Sequence, residues 1–437
     1  MASDSTSDKK RVLIISTVFP PLNTAGTART GKLAKYLQLF GWEPFILTLD
    51  KIKGVQPTFP LEIEESRVTR TRYLDLPGLL RERLVGNKDA YLDKVSSNAP
   101  GLGLKAYRLL QSIWRWLPLS ILRILISALG WYIYAVPKGA QIIANNKIDL
   151  IFSSGPSYQP YFVASRLHQK TKIPWVADFR DLWTMSPYAP RLPHPWEIKL
   201  EKMVMRSSSL LVTVSQPLAD ILCVTHSKKV IVIPNGFDED DYTEGVPLTS
   251  KFTLTYTGTI FPEDELAPLF QAISQLKQEG KVSPDDSEFR FFSNKVNIPD
   301  LTRAYGLEGI VKIYDYVPFR ESIKKQQESS ALLLFCSMRG AYSSKVFEYL
   351  GAHRPVIAVG RKGDVVDELL TKSGSGTVVN KTDEIKDLLA RWIDEFRNSN
   401  RITYHYQPDE NIIRQYTRRE QAKTLAQAFD EVLQEDR

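Results

Sequence analysis

A chain of 437 residues is long enough for two or three domains, and 43% hydrophobic with 24% charged residues excludes a disordered or fibrous polypeptide. The net charge of +7 and pI of about 9.0 suit an anionic partner, whether nucleotide, nucleic acid or lipid headgroup, without choosing among them. Cys223 and Cys336 are too far apart for metal-ligand spacing; both lie beside apolar runs and predict buried thiols in a reducing compartment.

Residues 1–10 are polar and predict a disordered tail; the apolar run after them is too short for a signal peptide. RVLIIST predicts a buried strand, followed by a loop with Gly26 and a helix from Thr27 to Phe40 whose Leu33, Tyr36, Leu37 and Phe40 face a sheet. This βαβ start puts a turn where parallel α/β sheets collect ligands, but it lacks the G-x-G-x-x-G dinucleotide fingerprint. Residues 101–147 hold Lys105, Arg108, Arg115, Arg123, Lys138 and Lys147 and no acid. Trp114, Trp116, Trp131, Tyr132 and Tyr134 are interleaved with them. At helical spacing the first four cations fall within roughly 80° of one another. Pro118 divides the stretch into two helices. A basic, aromatic stripe suits an anionic membrane surface through 101–138, and plain domain helices are the other reading. No nucleic-acid module accompanies it, so none is expected as partner.

IDLIFSS and IPWVADF are the next strands, the second delivering Asp178, Arg180 and Asp181 at its carboxyl end. Salt-bridging within that loop is the structural alternative to a site. SLLVTVS and KVIVIPNGFD complete the first half; Asp238 to Asp241 lie in a turn and predict a solvated loop rather than a metal site. Residues 243–250 read as a linker to a second α/β domain that starts at FTLTYTGTI. Near its end, ALLLF is a strand buried on both faces, and a loop from Ser337 to Tyr342 follows. Ser343 or Ser344 then caps a helix with Lys345 in its first turn and Glu348 one turn on. The helix start attracts phosphate, and the carboxylate suits a hydroxyl pair such as a ribose diol. Together they describe a nucleotide. Residues 411–437 read as one helix.

Four motifs carry a family likeness: FPP…G-x-x-R, DFRDLW, SSSLLVTVS…VIVIPNGFD and K-x-x-EYL-x-A-x-x-PVIA. In this order they resemble the GT-B glycosyltransferases, specifically the family 4-like group. That resemblance implies an α/β fold of two doubly wound Rossmann-like domains facing across a cleft. It assigns 11–243 to the acceptor side, 251–410 to the nucleotide-sugar donor, and 411–437 to a helix returning to the first domain. It implies a retaining transferase that moves a sugar from a nucleotide-diphosphate sugar to a glycan or lipid-linked acceptor in cell-surface polysaccharide synthesis. Such an enzyme is cytoplasmic, with peripheral attachment to the inner membrane face, and uses no metal or cofactor. The donor residues it implies are Gly26, Gly258, Thr259, Val317, Pro318, Tyr342, Ser343, Ser344, Lys345 and Glu348. Asp178, Arg180 and Asp181 line the sugar side as catalytic residues. Three departures stand out. Relatives often have a histidine near Arg180, a cation shortly after Gly258, and a glutamate where this chain has Gly340. The alternatives are a catalytically silent membrane-associated scaffold, or an epimerase or hydrolase on the same fold.

Overall fold

The computed structural model describes residues 9–24, 26–52, 54–55, 57–74, 119–186, 192–259, 266–293, 298–336 and 339–435. The chain forms two compact units, one from 1–213, 219–231 and 425–437, the other from 214–218 and 232–424. The expected linker at 243–250 therefore lies inside the second unit. Thr243 exchanges hydrogen bonds with the Gln327 side chain at 3.2 and 2.8 Å, and the Thr249 N–H reaches the Glu328 carbonyl at 2.9 Å.

The first unit is built on a seven-stranded sheet of order β3-β2-β1-β4-β5-β6-β7. Its strands are β1 (Lys10–Ile15), β2 (Trp42–Leu49), β3 (Val68–Thr71), β4 (Leu150–Gly155), β5 (Trp175–Phe179), β6 (Leu210–Thr213) and β7 (Val230–Val232). From β3 to β6 every neighbour is parallel. Parallel strands need crossovers on both faces, so Val12 to Ile15 and Leu150 to Phe152 are wholly buried, as their unbroken apolar runs require. Helix α1 (Thr27–Leu37) follows β1 and ends through a single 3₁₀ turn at Phe40, close to the expected boundary.

Helix α2 (Leu119–Asn146) begins next to Pro118 and continues through Pro137. It is a helix of the domain: Trp131 is fully buried and its indole donates to Thr71 Oγ1 at 2.7 Å. Leu129, Ile133 and Tyr134 remain exposed on its outer side, at 46%, 47% and 39%. No helix among the described residues is long and apolar enough to cross a membrane. Lys105, Arg108, Arg115, Trp114, Trp116 and the Arg123 side chain lie outside the described residues.

The second unit holds a six-stranded, all-parallel sheet of order β10-β9-β8-β11-β12-β13. Its strands are β8 (Phe252–Thr257), β9 (Ser287–Phe292), β10 (Val311–Tyr314), β11 (Ala331–Cys336), β12 (Val356–Gly360) and β13 (Gly376–Val379). Alternation sorts β11 between two cores. Ala331, Leu333 and Phe335 join Phe252, Phe270 and Trp392 on one face; Leu332 and Leu334 join Val346, Phe347 and Ile413 on the other. Phe237 belongs to this second cluster, which is why the unit begins before the expected linker.

Three expectations need correction. The tail is not one helix: a turn at Glu410–Ile413 and a 3₁₀ turn at Arg414–Tyr416 precede the last helix, α6 (Arg418–Glu435). The break has a cause in Phe237, whose N–H donates to the Tyr416 carbonyl at 3.1 Å and whose carbonyl accepts from Arg418 N–H at 2.7 Å. Thr417 is thereby held extended and cannot be helical. Cys223 is exposed and Cys336 half-buried, so neither thiol is sealed in the core. Asp238 is buried rather than solvated, and its carboxylate accepts from the Asp240 N–H at 3.1 Å.

The end of α6 packs on the first sheet. Phe429, fully buried, sits edge-on to Trp42 at 5.1 Å and to Phe152 at 5.5 Å. Phe429→Ala is expected to cost about 3–5 kcal/mol of first-unit stability, read as a lowered midpoint in guanidinium unfolding.

Candidate functional site

Open α/β sheets gather ligands outside the carboxyl ends of strands where the strand order reverses. The first unit reverses between β1 and β4, the second between β8 and β11.

In the second unit the reversal brings Gly258 and Lys345 together. Gly258 has φ +120°, and a side chain on it would overlap the end of Lys345, which lies across it. Lys345 forms no ion pair among the described residues. It occupies the first turn of α4 (Ser344–Ala352), whose N-cap position is Ser343. The Ser343 hydroxyl makes no capping bond, contrary to expectation, so no side chain at the cap position takes the N–H groups of the first turn, although the Val346 N–H donates to the Ser343 carbonyl at 3.2 Å.

Glu348 stands one turn along the same face, half-buried. Its Oε2 accepts from Gln326 Nε2 at 3.2 Å, and its backbone carbonyl accepts from the Tyr242 hydroxyl at 2.7 Å. Gln326 is fully buried on α3 (Phe319–Gln327) and also donates to Thr257 Oγ1 at 3.0 Å. It ties the carboxylate to Thr257, the last residue of β8, directly before Gly258. Neither Gln326 nor Tyr242 announced itself in sequence, since each acts through a distant contact.

Thr259 is exposed and its hydroxyl meets that of Tyr316 at 2.7 Å, which joins the loop after β8 to the one after β10. Val317 and Pro318 follow there, Pro318 exposed at the cap position of α3. Tyr342 packs edge-on to Phe347 at 5.2 Å, and burial pushes its hydroxyl pKa up to about 12. Gly340 is not an open backbone position. Its N–H donates to Asp364, the cap of α5 (Val365–Ser373), at 2.9 and 3.1 Å, and its carbonyl accepts from Ser215 Oγ at 2.7 Å. Residues 260–265, where the family resemblance led us to look for a cation, lie outside the described residues.

In the first unit Asp178 is fully buried, which corrects its expected place on the sugar side. Arg29 grips it with two bonds, at 3.0 and 2.8 Å, and Ser154 Oγ donates to it at 2.7 Å. Its carbonyl accepts from the Tyr161 hydroxyl at 2.9 Å; burial, then the Asp178 charge, hold that hydroxyl far above its ordinary pKa. Arg29 was present in G-x-x-R, but its pairing with Asp178 could not be read from spacing. Arg180, by contrast, lies directly on Gly26, where any side chain would overlap its guanidinium, and its Nε donates to the Gly155 carbonyl. Asp181 is exposed next to it; the surrounding protein raises its carboxyl pKa, and the Arg180 charge opposes that rise.

Beside these loops a cavity of about 1390 Å³ opens in the first unit. Leu22, Leu49, Ile52, Val55 and Trp131 line it, with Arg72 among the polar residues.

Two parallel-sheet Rossmann-like units define the GT-B fold of glycosyltransferases, and the family resemblance read from the sequence is borne out. Residues 103–241 match the family model described as Glycosyltransferase Family 4. The chain is similar to the uncharacterized glycosyltransferase YqgM of Bacillus subtilis, with 26% identity over 137 residues, which are 31% of this chain and 37% of that relative. Its fold is similar to that of a glycosyltransferase from Rickettsia africae, with TM-score 0.62 and 15% identity, covering 98% of this chain and 99% of that one. Anabaena HepE, solved with UDP, has TM-score 0.61 and 13% identity, covering 96% and 100%.

Removing either member of the Arg29–Asp178 pair leaves a buried charge without its partner. Arg29→Met is expected to destabilise by about 3–5 kcal/mol in chemical unfolding, and the double change Arg29→Met with Asp178→Leu by distinctly less.

Proposed function

We propose that this chain is a glycosyltransferase that moves a sugar from a nucleotide-diphosphate sugar to a glycan or lipid-linked acceptor. The observation that carries the reading is Lys345 and Glu348 on one face of α4, over Gly258, with Gln326 holding the carboxylate. Glu348 takes the ribose diol; Lys345 and the open N–H groups at Ser343 and Ser344 take the diphosphate. Gly258 and Thr259 border the phosphates, while Val317 and Pro318 border the base. In the first unit, Gly26, Arg180 and Asp181 are the residues that the family resemblance gives to the transferred sugar, and Asp178 acts behind them by fixing Arg29. Catalysis rests on orientation and on stabilising the departing diphosphate. Retention at the anomeric carbon follows the family resemblance.

The apolar lining of the first-unit cavity favours a lipid-linked acceptor, the kind used in cell-surface polysaccharide assembly. The exposed Leu129, Ile133 and Tyr134 on α2 favour peripheral attachment at the cytoplasmic membrane face.

Glu348→Ala is expected to weaken UDP binding more than tenfold in calorimetry; equal affinity in the variant removes the donor reading. A silent scaffold instead predicts that a thermal-shift panel of UDP-, GDP- and ADP-sugars leaves the melting temperature unmoved. Leu129→Glu with Ile133→Glu is expected to release the protein from vesicles containing anionic lipid, and undiminished co-sedimentation counts against attachment through α2.

A further inference from the structure

We propose that Glu201 and His226 are positioning residues: through Thr184 they clamp the loop that carries Arg180 and Asp181. The step they would serve is sugar transfer, so that role rests on the transferase reading; the clamp itself does not.

Residues 180–186 follow β5 and belong to no helix or strand. Side-chain contacts therefore set their course. Trp183 stacks on Tyr158 at 5.1 Å and meets Phe162 edge-on at 5.6 Å. Thr184, the next residue, is buried, and both its backbone N–H and its hydroxyl donate to Glu201 Oε2, the N–H at 3.0 Å. The other oxygen, Oε1, accepts from His226 Nε2 at 3.0 Å.

The side chains of Glu201 and His226 are each only 2% exposed. Glu197, one turn earlier on the helix Pro195–Met205, is taken by the helix start, where it accepts from the His194 N–H at 2.7 Å. Glu201 sits beyond that first turn, where backbone N–H groups are used within the helix, so its donors come from elsewhere. They come from the loop after β5 and from the last residue of the helix Gln216–His226. A buried carboxylate is costly to desolvate, and an apolar pair of similar volume would join two helices at least as firmly. What Glu201 adds over such a pair is direction, because it fixes where one N–H and one hydroxyl of the loop point. Thr184 is four residues from Arg180, a reach of at most about 14 Å, so a displaced Thr184 carries Asp181 and Arg180 with it.

The test uses the full chain and has two arms. In the first, Thr184→Val removes the hydroxyl, keeps the shape and leaves the Glu201–His226 pair in place. The substrate is whichever sugar of the UDP-, GDP- and ADP-sugar panel raises the melting temperature most. With water as acceptor, its kcat for nucleoside diphosphate release is expected to fall about tenfold or more, with KM within about threefold. Affinity for the matching nucleoside diphosphate is expected to hold in calorimetry, and Thr184→Ser to restore turnover. Turnover and nucleotide affinity falling together, or no rescue by serine, overturns the positioning role. The second arm is hydrogen exchange and needs no activity. In the double variant Glu201→Met with His226→Phe, residues 180–186 are expected to exchange about tenfold faster while the strands of the first sheet keep their protection. Unchanged exchange in 180–186, or faster exchange across the whole sheet, overturns the clamp. If the double variant does not fold, Thr184→Val carries the same measurement. A wild type that releases no nucleoside diphosphate from any sugar of the panel overturns the transferase reading and the positioning role with it, and the exchange arm still decides the clamp.

Discussion

A parallel sheet exposes its backbone to a ligand at the place where its crossovers part to opposite sides, and each sheet here has one such reversal. Both units use that place in the same way. The loop after the first strand of each unit contains a glycine, and the missing side chain makes room for a cation brought from elsewhere. Arg180 arrives on Gly26 from the end of β5; Lys345 arrives on Gly258 from the start of α4. In each case the cation meets a helix start that no side chain caps. Each place thereby combines positive charge with little steric bulk.

The shell behind each site holds the geometry. Asp178 aligns Arg29 and is itself held by Ser154 and Tyr161. Gln326 plays the matching part in the second unit by joining Glu348 to Thr257. Asp178 and Gln326 are both fully buried, so each holds a neighbour in place rather than touching a ligand itself.

Much of the fold was legible because parallel strands are apolar without interruption and helices repeat near every fourth residue. The ligand-side helix was legible for a local reason: Ser343, Lys345 and Glu348 lie within two turns, so their relative placement follows from helix geometry alone. What escaped was long-range. Asp178 looked like a site residue because its partner, Arg29, comes from a distant helix. The pause in the tail at Thr417 depends on pairing with Phe237, and the false linker on contacts with Gln327 and Glu328. The aromatic, basic stretch was ambiguous because one helix can do both jobs: α2 turns Trp131 inward and Leu129 and Ile133 outward.

Gly340 limits what this loop could become. Its φ of +72° suits glycine, and a β-carbon there would come within 3.1 Å of Pro217. Its N–H is also bound by the Asp364 carboxylate, so an acidic side chain at this position would bring a second negative charge close to the first. An exchange to glutamate therefore does not fit this loop alone: the backbone turn and the Asp364 clamp would have to change with it.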